Sequence, residues 1–139
     1  MIEITNQTID TDKVLRSVQS HQAGASVLFT GSTRQFTRGK ETLKLDYECY
    51  EEMAIKKMEE LRCQALERWN VEACSIVHRV GMVELGEISI AVAVSTAHRV
   101  ASFEAAQWLV DTLKKEVPIW KREYWADGSE EWVHPETSA

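Results

Sequence analysis

An α+β fold with a mainly antiparallel sheet and packed helices follows from three features of the 139-residue sequence. Seven short apolar or alternating segments carry the two-residue period of strands. Three others carry the 3.6-residue period of helices. Joins short enough for hairpins outnumber helical crossovers, which favours antiparallel pairing over a wound parallel sheet.

In chain order the pattern is β-α-β-β-α-β-β-α-β-β. Ile2 to Thr5 is a short strand. Asp10 or Thr11 caps a helix with Val14, Leu15 and Val18 on one side. Gly24 to Thr33 contains the run Val27-Leu28-Phe29, a buried strand that opens at Gly31. Arg34 to Thr42 then reads as a long polar loop with Arg34, Arg38, Gly39, Lys40 and a lone Phe36, expected to be mobile. Leu43 to Tyr50 alternates, with Leu43, Leu45, Tyr47 and Cys49 on one face and Lys44, Asp46 and Glu48 on the other.

From Glu51 to Trp69 the period becomes helical. Ala54, Met58, Leu61, Ala65 and Trp69 form a stripe that reads as core, with the charges mostly outside it. Val71 to Val80 is a strand ended by Gly81, and a turn near Gly86 leads to the strand Glu87 to Thr96. There Ile88, Ile90, Val92 and Val94 alternate with the small residues Ser89, Ala91, Ala93 and Ser95, which implies close packing on the second face. Phe103, Ala106, Val110, Leu113 and Val117 mark the last helix, stopped by Pro118. Ile119 to Trp125 and Glu131 to Val133 form a closing hairpin around Asp127-Gly128.

Length and composition suit one soluble globular domain, residues 1–139, with 44% hydrophobic and 27% charged residues. No window supplies the ~20 apolar residues of a membrane span, and the N-terminus lacks the basic region of a signal peptide. A net charge of −6 argues against nucleic acid as a partner, because phosphate-backbone binding needs a broad basic face. Cys49, Cys63 and Cys74 have no CxxC spacing and read as reduced thiols, so cytoplasm is the expected compartment. The four histidines (21, 78, 98 and 134) have no ligand spacing, so neither a metal nor a cofactor is expected. Neither common glycine-rich phosphate loop occurs, and no nucleophilic triad is marked locally.

The informative segment runs from Ser95 to Trp125. It places His98-Arg99, Lys114 and Lys121-Arg122 at the ends of apolar elements in an acidic chain. Such a gathering of cations supplies the local field that an anionic ligand needs. His98 and Arg99 sit where a helix begins and form either an anion seat or an ordinary cap with a snorkelling arginine. His78-Arg79 repeats the dipeptide at another strand end, so the pair alone is weak evidence. Lys114 and Lys115 both suit a helix C-terminus, and one of them is structural on any reading. Lys121 lies between Trp120 and Arg122. Aromatic walls and nearby cations would lower its pKa and free it for proton transfer or attack, unless that strand face is simply solvated.

Five segments together resemble the large, catalytic subunit of molybdopterin synthase over nearly the whole chain. They are Phe29-Thr30-Gly31-Ser32-Thr33-Arg34; Leu45 to Tyr50 with Met53-Ala54; His78-Arg79-Val80-Gly81; Ser95-Thr96-Ala97-His98-Arg99; and Leu113-Lys114 with Val117 to Glu123. The resemblance implies an α/β-hammerhead fold, a homodimer, and a 2:2 heterotetramer with a small ubiquitin-like sulfur-carrier subunit. It implies sulfur transfer from that partner's C-terminal thiocarboxylate to cyclic pyranopterin monophosphate, forming the dithiolene of molybdopterin. The family's functional positions fall on Arg34, His98, Arg99, Lys114 and Lys121, with Ser32, Thr33, Arg122 and Glu123 beside them. Lys114 and Lys121 are then the catalytic pair and the others substrate-binding. The loop after Arg34 varies in the family, and the basic tail of some relatives has no counterpart in Pro135 to Ala139. The alternative from another class is a non-catalytic module that docks a ubiquitin-like tail or an anionic ligand.

Overall fold

The strand Ile88–Thr96 sorts its side chains by size, and that sorting places the helices around it. Val92 and Val94 pack with Met58, Leu61, Leu109 and Leu113 in one core cluster, whereas Ala91 and Ala93 pack with Val14 and Val18 in a second. Large residues meet the two long helices. Small ones let the short N-terminal helix approach closely, as the alternation predicts. The structure, a computed structural model, describes residues 1–133, so the Pro135 to Ala139 segment and His134 lie outside the described residues.

Among the described residues the order is β1 (Ile2–Thr5), α1 (Thr11–Arg16), β2 (Ala25–Ser32), β3 (Phe36–Thr37), β4 (Lys40–Cys49), α2 (Glu51–Trp69), β5 (Ala73–Arg79), β6 (Gly81–Glu84), β7 (Ile88–Thr96), α3 (Arg99–Glu116), β8 (Ile119–Trp125) and β9 (Glu130–Val133). One sheet has the order β1-β5-β7-β2; the other runs β3-β4-β8-β9, with β6 also paired to β4. Every pairing is antiparallel except β1 with β5, so the α+β, mainly antiparallel expectation holds.

Local chemistry accounts for the helix ends. The Asp10 carboxylate accepts from the Lys13 N–H at 3.1 Å and caps α1. Asn70 ends α2 in the left-handed conformation, with φ 53°. In α2 the buried residues are Ala54, Met58, Leu61 and Ala65, four of the five in the stripe read from the sequence; the fifth, Trp69, is half-buried. Burying Leu61 or Met58 contributes roughly 2 kcal/mol each.

Four local expectations are corrected. Residues 34–42 are not one long loop: Phe36–Thr37 pairs with Lys40 and Glu41. The tip, Arg38-Gly39, has positive φ at both residues, as a two-residue hairpin turn requires. Leu43 does not share a face with Leu45. The register shifts between Thr42 and Lys44, which buries Thr42 and leaves Leu43 exposed. Gly81 does not end the strand region; its positive φ turns the chain into β6, a strand that the sequence reading missed. Finally, the buried face of α3 is Ser102, Ala105, Ala106, Leu109 and Leu113, while Phe103 is exposed. Small residues next to β2 and β7 seat α3 against the sheet, and that turns the helix away from the stripe drawn through Phe103.

Candidate active site: a lysine-bearing pocket between the sheets

A pocket of about 240 Å³ lies where the end of β2, strands β4 and β8, and the last turns of α3 meet. Each element delivers its side chain for a local reason. β8 alternates, so Lys121 and Glu123 share a face, opposite Tyr47 and Leu45 of β4. These four line the pocket together. Lys114 arrives from the last turn of α3, where a cation complements the helix dipole. Gly31, Ser32, Thr33 and Arg34 form the wall at the end of β2. Gly31 is required there, because a Cβ would stand 2.8 Å from Ile90 Cγ2.

The register of β2 on β7 shifts between Gly31 and Ser32. Across this shift Ile90 packs with the α2–α3 cluster and Ile88 with the α1 cluster. Ile88 and Ile90 therefore do not share a face, contrary to strict alternation, and Ser89 is released to line the pocket.

The field inside is cationic with one carboxylate. Burial holds the Lys121 ammonium below its usual pKa; Glu123 opposes that shift, while Arg34 and Lys114 reinforce it. Glu123 is itself buried and accepts from Thr42 Oγ1 at 3.5 Å. Arg34 Nε donates to Thr37 Oγ1 at 3.4 Å, which ties the wall to the β3–β4 hairpin. Thr33 Oγ1 is buried without a hydrogen-bond partner beside the cavity. A buried polar atom left unmatched in a pocket wall is costly until a ligand satisfies it. Two acceptor-bearing rings form the floor. Tyr47 stands edge-on to His78 with centroids 5.1 Å apart, and its hydroxyl donates to Ser89 Oγ at 3.4 Å.

Of the residues singled out in the sequence, Ser32, Thr33, Arg34, Lys114, Lys121 and Glu123 converge on this pocket. His98, Arg99 and Arg122 do not line it. His98 and Arg99 are exposed at the start of α3, where His98 is the N-cap residue without a side-chain cap bond. Arg122 lies on the other face of β8, stacked 4.3 Å over Trp132 and 3.8 Å from Glu130. The sequence reading passed over Tyr47, His78 and Ser89 as site residues. Their signal was present only in part: Tyr47 and His78 lie in segments quoted for the resemblance, but nothing in the chain order brings them together. Among the described residues no three His, Cys, Asp or Glu side chains converge as a metal site would need. No described helix is long and apolar enough to cross a membrane.

Fold and pocket thus define an α+β protein whose acidic chain folds around a pocket lined by two lysines and an arginine. Residues 4–116 match the MoaE protein family. The chain is 39% identical to the molybdopterin synthase catalytic subunit of Bacillus subtilis, over 94% of this chain and 83% of that one. It is 42% identical to the protein of the same name from Halalkalibacterium halodurans, over 94% of this chain and 83% of that one. A crystal structure of molybdopterin synthase from Staphylococcus aureus superposes with a TM-score of 0.88 at 35% identity, covering 93% of both chains. The chain belongs to the MoaE family, the catalytic subunits of molybdopterin synthase.

Proposed function

We propose that the chain transfers sulfur from the C-terminal thiocarboxylate of a small ubiquitin-like partner to cyclic pyranopterin monophosphate, building the dithiolene of molybdopterin in two rounds. The observation that carries this reading is the meeting of Lys114 and Lys121 with Arg34 in one pocket of an acidic protein. The thiocarboxylate, the substrate phosphate and the transition state are all anionic. Fixed cations stabilise such charge best where water is scarce.

In each round the thiocarboxylate sulfur forms a bond to a substrate carbon as that carbon's bond to oxygen breaks. The oxygen leaves protonated or, where it belongs to the cyclic phosphate, stays on phosphorus as the ring opens. Water then attacks the acyl carbon, the acyl–sulfur bond breaks, sulfur stays on the pterin, and the partner leaves with an ordinary carboxylate. Lys114, at the mouth of the pocket, faces the partner's terminal carbonyl as electrophile or proton donor. Lys121, whose depressed pKa makes it the readier proton carrier, works with Arg34 on the phosphate and pterin. Ser32, Thr33 and Glu123 complete the substrate contacts.

His98 and Arg99 require a second chain. They lie outside the pocket of their own chain, so a role in binding substrate needs the homodimer to present them to the other copy's pocket. Arg122 supports β8 and β9 from the opposite face. The working assembly is a 2:2 heterotetramer with the small subunit, in the cytoplasm. A single-turnover assay tests the reading: purified chain, thiocarboxylated partner and precursor should give dithiolene product. Partner binding without product would favour the non-catalytic docking module.

A further inference from the structure

The pocket has a floor whose chemistry is opposite to that of its rim. His78 Nδ1 lies 2.8 Å from the Arg79 carbonyl oxygen. A carbonyl can only accept, so Nδ1 carries the ring proton and donates it. Nε2 of the neutral ring is then an acceptor, on a residue that lines the pocket. Beside it, the Tyr47 hydroxyl proton goes to Ser89 Oγ at 3.4 Å, and the Ser89 proton goes to the Gly31 carbonyl at 3.3 Å. With both protons committed, Tyr47 also offers the cavity only lone pairs. The rim of Arg34, Lys114 and Lys121 supplies donors, whereas the floor supplies acceptors.

The ionised diester phosphate of a cyclic monophosphate can use the rim but not this floor, because it carries no proton to donate. A reduced, fused pterin ring brings several. We propose that His78 is a substrate-recognising residue, its Nε2 accepting a hydrogen bond from a ring N–H of the bound pterin while the rim cations hold the phosphate. The inference rests on the sulfur-transfer reading for the nature of its ligand, and it adds a residue to which that reading gives no role. Burial also keeps the imidazole neutral, with its pKa pushed down to about 4, so the acceptor persists at neutral pH.

Two substitutions separate recognition from simple support. His78→Asn keeps an N–H at the position that holds the Arg79 carbonyl and loses the distal acceptor. His78→Gln places an amide oxygen near Nε2 and gives up the Arg79 contact. Affinity of the full chain for cyclic pyranopterin monophosphate, measured by calorimetry, should fall about tenfold or more in His78→Asn and by no more than about threefold in His78→Gln. Affinity for dimethyl phosphate, which carries no proton to donate, should be unchanged in both. Retained precursor affinity in His78→Asn, or equal losses in the two variants, overturns the proposal.

Imidazole nitrogen NMR of the unmodified chain gives a second measurement that does not depend on variants folding. The unprotonated Nε2 resonance of His78 should move upfield when precursor binds and stay still with dimethyl phosphate. No movement with precursor overturns the proposal as well. If the unmodified chain makes no dithiolene with thiocarboxylated partner, the sulfur-transfer reading itself has failed. If it does so while His78→Asn binds precursor normally, only the present inference has failed.

Discussion

His78-Arg79 and His98-Arg99 are the same dipeptide at the ends of two neighbouring strands, β5 and β7, and the fold gives them opposite surroundings. His78 is buried on the pocket floor, held by the Arg79 carbonyl and faced by the Tyr47 ring. Arg79 is pinned by Glu87 at 3.3 Å and by the Met82 carbonyl at 3.1 Å, which secures the turn into β6. His98 and Arg99 stand exposed at the N-terminus of α3. The sequence favoured the second pair because a helix start attracts anions. Enclosure, which decides whether an imidazole can act as a fixed acceptor, is invisible in a dipeptide. One pair is finished within its own chain; the other lies outside its own chain's pocket and joins a site only under the proposal that a second copy meets it.

The sharpest way to break this contrast is at the lysines that define the pocket. Lys114→Ala and Lys121→Ala should each lower product formation by on the order of 10²-fold or more, as for positioned charge-stabilising groups. Both should remain folded, since the apolar face through Ala106, Leu109 and Leu113 is untouched. Near-full turnover in both variants would mean that the pocket is not the reaction site.

A second test uses the buried histidine's own titration. The folded pKa of His78 is about 4 against an ordinary 6.5. The unfolded chain therefore takes up the proton first as pH falls, so this group's contribution is intact above pH 6.5 and is lost between 6.5 and 4. The loss amounts to roughly 3 kcal/mol. Chemical denaturation across that range should show a steeper decline for the unmodified chain than for His78→Gln. Equal slopes would place His78 in contact with water.

The exposed pair is tested by mixing chains. If His98 serves the other copy's pocket, His98→Ala and Lys121→Ala chains, each inactive alone, should recover about a quarter of full activity when randomly mixed, because half the dimers keep one intact site of two. Absence of recovery would put His98 outside both pockets. The smallest effect belongs to Lys115, which the pocket does not include. Lys115→Ala should cost at most about 1 kcal/mol of stability, read by thermal melting, and leave turnover alone. An inactive but folded Lys115→Ala would show that the register at the end of α3 is wrong.

Much of the architecture follows from the amino-acid order alone, because helix and strand periods are local. The α2 stripe, the Asp10 cap, the stop at Pro118 and the large-against-small faces of β7 are of this kind. The same rule separates Lys121 and Glu123 from Arg122, since neighbours in a strand point to opposite faces; grouping all three at one site ignored that alternation. The recurrent motifs also marked Arg34, Lys114 and Lys121, which the fold then gathers. What tertiary structure alone decided are the places where a local period breaks under packing. The shift at Thr42/Lys44 turns Leu43 outward, the shift at Gly31/Ser32 frees Ser89, and the pairing of β6 with β4 makes a strand of residues to which the sequence assigned no element. The acceptor floor of His78, Tyr47 and Ser89 belongs with them. Residues 42 positions apart in Tyr47 and Ser89 meet there through two sheets, and no pattern of neighbours along the chain encodes that contact.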